Sequence, residues 1–266
     1  MSRESILLAI GNPENEDLAR IEELKKCRLL IDNNGQIRTR HRVIAEIVFE
    51  AIRQSGFLKE LLEGLILSIA TELLSTPSTK GKLRKFLTSI MNHDFIHRSM
   101  DPNQGAAFYD SIEKILHDDG HFWLQRGCYE IDRGNILMAD NWISQAKALL
   151  PADSTVATAY GHLLFQKALM NVRSDAAEGL VEEAVAVLNG VIANHGDRSP
   201  HAYTILGSQG LAWAKRAHLT FESKRDFLSL LRSVALKGKE KHPYNPQIKG
   251  LYDEIQTEYL NLALSS

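Results

Sequence analysis

The sequence predicts a mostly α-helical protein. A small N-terminal unit with a β-hairpin is followed by connecting helices and then by a solenoid of paired helices. Three observations carry this. Apolar residues recur at helical spacing over most of the chain. Glycine recurs at Gly127, Gly161 and Gly207, 34 and then 46 residues apart, near the middle of three helical segments. Between Arg28–Asp32 and Gln36–Arg40 the helical spacing is broken by Asn33-Asn34-Gly35, a tight-turn signal because asparagine and glycine tolerate positive φ.

In chain order, Ser2–Ile10 is predicted to form a short helix, ended by Gly11-Asn12-Pro13. Asn15 can cap a helix over Glu16–Lys26, with Leu18, Ile21 and Leu24 on one face. After the hairpin comes a helix over His41–Ser55, with Val43, Ile44, Ile47, Val48 and Ile52 inward, and an apolar helix over Phe57–Ser75. Helix, hairpin, helix is the outline of a winged-helix-like unit, assigned to residues 1–76. Thr76-Pro77-Ser78-Thr79 is a break, and Ser78 or Thr79 can cap a helix over Lys80–Met91. Asn92–Gln104 reads as irregular, and Ala106–His117 as a helix. These connecting helices fill residues 77–118.

The repeat region is assigned to residues 119–266. His121–Pro151 reads as two amphipathic helices joined by a turn at Arg133-Gly134-Asn135. Small residues at Gly127, Ala139 and Ala146 let the two helices approach closely, Trp123 and Ile143 fill the space between layers, and Pro151 ends the unit. A second unit starts at Ala157, with a helix to Met170. The 12 residues in excess of one period are expected in its turn, around Asn171–Gly179. Ala177–Asn194 follows with a wide apolar stripe. Ser199-Pro200 opens the next helix, which runs to about Ala217 and holds Tyr203, Leu206 and Gly207, the start of a third unit. Thr220–Lys237 is amphipathic, and Pro246–Leu264 is a final helix able to lid the array.

The set Trp123, Gly127, Ala139, Ile143, Ala146 and Pro151 resembles a tetratricopeptide repeat. Arg126 and Glu130 depart from that family's apolar and aromatic pattern, and the later units lack a matching proline. By the family's geometry the first helix of each repeat faces a concave groove. Carried onto this chain, the groove presents His121, Leu124, Cys128 and Asp132, then Thr158, His162, Phe165 and Gln166, then His201, Thr204 and Ser208. A lining that mixes polar and aromatic side chains suits a protein or peptide. The run IRTRHRVIAEIVFEAI, followed by FWLQRGCYEIDRGNILMADNWISQA, is similar to the region after the ATPase core of bacterial STAND-type NTPases. There, a winged-helix unit is followed by a helical-repeat sensor, often in antiphage immunity. The resemblance implies a sensor or scaffold, as a separate subunit, a fragment of a larger NTPase or a degenerate member, whose partners are a protein in the groove and an NTPase or effector.

The chemistry is consistent with a non-enzymatic role. There is no phosphate loop: Gly81-Lys82 lacks both the upstream glycine and the following serine or threonine. His117-Asp118-Asp119-Gly120-His121 with His93-Asp94 invites a metal-hydrolase reading, but acidic residues at a helix start also complement the helix dipole, and no metal or cofactor is expected. His93 and His97 stand four apart without an evident third ligand. Arg38, Arg40 and Arg42 form a basic cluster that a winged-helix protein could set on DNA phosphates, the alternative reading. The helix that follows carries Glu46 and Glu50 and few side chains able to read base edges, so nucleic acid is disfavoured. Over 266 residues, 44% are hydrophobic and 24% charged, and the net charge of −2 gives no drive toward nucleic acid or an anionic membrane. Cys27 and Cys128 form no disulfide framework, the N-terminal apolar run is too short for a signal peptide, and no stretch reaches a membrane span. A cytoplasmic setting is expected.

Overall fold

The computed structural model describes residues 22–24, 26–27, 30–33, 36–39, 42–75 and 80–264. The protein is mostly helical. Two strands, β1 (Leu30–Asn33) and β2 (Gln36–Thr39), precede twelve described helices. These are α1 (Arg42–Ser55), α2 (Leu58–Ser75), α3 (Lys80–Ile90), α4 (His93–Ser99), α5 (Pro102–Leu116) and α6 (Gly120–Asp132). They continue with α7 (Ile136–Leu149), α8 (Ser154–Met170), α9 (Asp175–His195), α10 (His201–Arg216), α11 (Phe221–Lys241) and α12 (Pro246–Leu264). No helix among the described residues is long and apolar enough to cross a membrane. The chain divides into two compact units, Met1–Gln125 and Arg126–Ser266, so the boundary falls within α6.

In the first unit β1 and β2 pair antiparallel, with Leu30 opposite Thr39 and Asn33 opposite Gln36. β2 touches α1, and α1 touches α2. This does not define a winged-helix unit. Residues 1–21, which hold the helix expected over Ser2–Ile10 and most of the one over Glu16–Lys26, lie outside the described residues, as do Asn34-Gly35 and Thr76–Thr79. The core of this unit is formed by Ile66 and Ile69 of α2, Leu87 of α3, Ile96 of α4, and Phe108 and Ile112 of α5. Tyr109 is buried with its hydroxyl donating to the Met91 carbonyl at 2.8 Å, which removes the cost of hiding a polar group.

Asn92–Gln104, expected to be irregular, contains α4 and the start of α5. Asn92 caps α4 by accepting from Phe95 N–H. Asp101 caps α5, accepting from Asn103 and Gln104 N–H, with Pro102 in the first turn. Each cap satisfies N–H groups that the helix itself leaves unpaired. Both signals stand in the sequence, but α4 has only seven residues, too few to show a periodic stripe.

The second unit is built from helix pairs. Arg126 over the Trp142 ring, at 4.2 Å, and Glu130 against Asn135 show α6 and α7 running antiparallel. The turn between them contains Gly134 at φ +76°, a left-handed conformation that favours glycine. Glu130 explains one departure from the repeat pattern. Its buried carboxylate accepts from Asn135 Nδ2 at 2.7 Å and from Arg133 Nη1 at 3.3 Å, so it clamps the turn. Arg126 explains the other, because its guanidinium covers an indole face.

Glycine sets the approach of successive helices. A Cβ placed on Gly127 would lie 2.5 Å from Ile143 Cδ1, on α7. One placed on Gly161 would lie 2.6 Å from Leu188 Cγ, on α9. In α10 the glycine that meets the following helix is Gly210, 2.6 Å from Leu231 Cδ2 by the same measure, whereas Gly207 meets Leu251 of α12. The glycine count therefore places the third unit three residues out of step. The expected extra length of the second unit is also placed differently. Its turn is short, with Met170 ending α8 and Asp175 beginning α9. The excess lies in the helices, 17 and 21 residues long against 13 and 14 for α6 and α7. Asp175–Gly179 forms the first turn of α9, capped by Ser174. A continuous apolar core joins α8 through α12, including Phe165, Leu188, Leu206, Leu231 and Ile255.

α7, α8 and α9 are also tied by polar contacts. Lys167 Nζ bonds Asp140 at 3.0 Å, and Lys147 Nζ lies 3.7 Å from the centroid of the Tyr160 ring. The Tyr160 hydroxyl donates to Glu183 Oε1 at 2.7 Å. Its pKa is pushed up to about 12, first by burial and then by that bond to a carboxylate. The folded state thus holds the phenolic proton more tightly than the unfolded chain. This contribution is complete below pH 10, the ordinary tyrosine value, and is lost as pH rises toward 12.

Three outcomes are expected, two in stability and one in titration. Gly127→Val and Gly161→Val should each lose about 1–3 kcal/mol in urea unfolding followed by circular dichroism, because the added atoms overpack a crossing. Gly190→Ala, where a Cβ meets nothing within 4 Å, should gain about 0.5–1 kcal/mol through helix propensity. In an absorbance titration at alkaline pH, one tyrosine should ionise near pH 12 and vanish in Tyr160→Phe. Glu183→Gln should move it down but leave it above 10, since burial is the larger cause.

Candidate partner-binding groove

The groove expected from the sequence uses the first helix of each pair: α6, α8 and α10. His121 and Leu124 of α6 fall in the first unit. His121 is half-buried, with its backbone N–H donating to Asp119 Oδ1 at 2.9 Å. Leu124 is 2% exposed and belongs to the core.

In the second unit Phe165 is 0% and Thr158 5% exposed. The Thr158 hydroxyl turns back to the Ser154 carbonyl of its own helix at 2.7 Å. Leu124, Thr158 and Phe165 are therefore structural and line no groove. For the α8 pair the reason is coverage: α8 packs against α7, α9 and α10, which narrows its free face. Cys128 is half-buried and not in a disulfide, and Asp132 and His201 are exposed. Thr204 and Ser208 are half-buried and bond carbonyls of their own helix, Pro200 at 3.2 Å and Ile205 at 3.4 Å.

His162 and Gln166 do come together, with a residue the sequence reading missed. Gln166 Nε2 donates to Gln209 Oε1 at 2.8 Å and lies 3.3 Å from His162 Nε2. An amide nitrogen carries two hydrogens, so it can serve both acceptors when the imidazole Nε2 is unprotonated. All three side chains are partly exposed. They form a polar row from α8 to α10. Gln209 was missed because the third unit was framed on Gly207. Gly210, three residues on, was the available signal for the other frame.

The other chemical candidates have structural occupations. Asp119 accepts from His121 N–H at the start of α6, and its second oxygen pairs with Arg84 at 2.9 Å. His117 Nε2 stands 3.2 Å from Asp118, with both side chains at the surface. His93 Nδ1 lies 2.9 Å from Gln125 Oε1. Of the basic cluster, Arg38 lies in β2 opposite Ile31 and Arg42 opens α1. Arg40 and the side chains of Arg38 and Arg42 lie outside the described residues.

Two clefts of the second unit open along the second helices instead. One, about 280 Å³, lies between α7, α8 and α9, bordered by exposed Leu137 and Met170. The other, about 370 Å³, lies between α9 and α11 with Trp213 of α10 at its base. No residue of the expected groove lines either cleft. No family model matches this sequence, and no curated protein matches it.

Proposed function

We propose that the chain is a non-enzymatic protein-interaction module, with a tetratricopeptide-like array over residues 126–264 as its binding part. The observation that carries this reading is the partly exposed row His162, Gln166 and Gln209, held across two successive first helices. Three glycine crossings, at Gly127, Gly161 and Gly210, support the repeat reading of the helix pairs around it. A rigid helical face with amides in place is suited to a peptide or protein, because little side-chain freedom remains to be lost on binding. The resemblance to the sensor region of bacterial STAND-type NTPases extends this reading. The module would sense a protein in a signalling or antiphage defence system, and the NTPase and effector would lie elsewhere.

The test is a quantitative pull-down with the wild type and the His162→Ala/Gln166→Ala pair. The pair should retain the wild-type melting temperature and recover the partner at least tenfold less well. Equal recovery by both proteins would dismiss this face as the site.

A further inference from the structure

The cleft between α9 and α11 combines two features that select an occupant. Its interior is apolar: Val181 and Val185 from α9, Trp213 from α10, Leu219 from the α10–α11 connection, and Phe227 and Leu230 from α11. Trp213 is only 2% exposed and forms the base, while Leu230 is 37% exposed at the mouth. The volume, about 370 Å³, is at the small end for a ligand site and suits one or two bulky side chains better than a cofactor.

The charged residues lining the cleft are all acidic: Glu178, Glu182 and Asp226, with no lysine or arginine. Glu178 and Glu182 are four residues apart on α9, so they share one helix face. Both are exposed, and neither has an ion-pair or hydrogen-bond partner among the described residues. Asp226 pairs with its neighbour Arg225 at 3.1 Å, so the uncompensated charge lies on the α9 side. An apolar slot with a negative rim disfavours acidic segments and steers cationic ones toward it. The cleft beside α7 has no such bias, because Asp140 and Lys167 neutralise each other.

We propose that the α9–α11 cleft is a second docking site, and that it takes a basic amphipathic peptide segment of a partner protein. A large apolar side chain of that segment enters over Trp213, and flanking lysine or arginine residues meet Glu178 and Glu182. The site is separate from the His162–Gln166–Gln209 row and stands without it.

The test is selection of a random 12-residue peptide display library on the full chain. Selections on the Glu178→Lys/Glu182→Lys and His162→Ala/Gln166→Ala variants run in parallel. The wild type should enrich peptides with an aromatic or leucine anchor flanked by lysine or arginine. An individual enriched peptide should bind the Glu178→Lys/Glu182→Lys protein at least tenfold more weakly in fluorescence anisotropy. The same peptide should bind the His162→Ala/Gln166→Ala protein unchanged. Both variants alter exposed or half-exposed side chains, and equal melting temperatures establish that they fold. Enrichment of neutral or acidic peptides, no enrichment, or equal binding after charge reversal would overturn the proposal. So would sedimentation showing that a second copy of this chain occupies the cleft. Loss of peptide binding only in the His162→Ala/Gln166→Ala protein would assign the peptides to the first face and overturn it as well.

Discussion

The second unit depends on one steric constraint: a helix must present no side chain where the next helix crosses it. Gly127 admits Ile143, Gly161 admits Leu188, and Gly210 admits Leu231. The gain is not in the glycines, which lower helix propensity by about 1 kcal/mol each relative to alanine. It lies in the branched side chains that enter the vacated space. Leu188 and Leu231 are completely buried, and burying such a side chain stabilises by about 1.5–3 kcal/mol. Exposed Gly190 meets nothing and has no such compensation.

This constraint also sets what was legible in the sequence. Helical spacing gave most element positions, because an apolar stripe is a local property. Pro246–Leu264 and the helices on either side of Arg133-Gly134-Asn135 follow directly from it. Side-chain destinations did not follow. Thr158 and Phe165 sit on the helix face that a repeat pattern assigns to a groove, but α8 has neighbours on several sides and hides them. Likewise, the extra residues of the second unit were expected in a polar turn, yet Ser174 caps a helix there and the polar stretch becomes its first turn. A cap and a turn use the same residue types, so composition alone cannot separate them.

Glu130 and Arg126 show how buried polar side chains can hold a helix pair together. An apolar residue at either place would fill volume. Glu130 instead holds the turn through Asn135 and Arg133, and Arg126 lies flat on Trp142. Both are buried, so their polar groups must be matched, and for Glu130 the partners come from the turn that it closes. The pair is thereby fixed by directional contacts as well as by close packing.

α10 carries two glycines three residues apart because it meets two different helices. Gly210 receives Leu231 of α11, its antiparallel partner, while Gly207 receives Leu251 of α12. α12 runs in the same sense as α10, since Lys215 farther along α10 reaches Glu254 farther along α12. α12 covers the apolar side of α10 and α11. The side of α11 that faces α9 remains open, and it is there that the acidic, Trp213-based cleft lies.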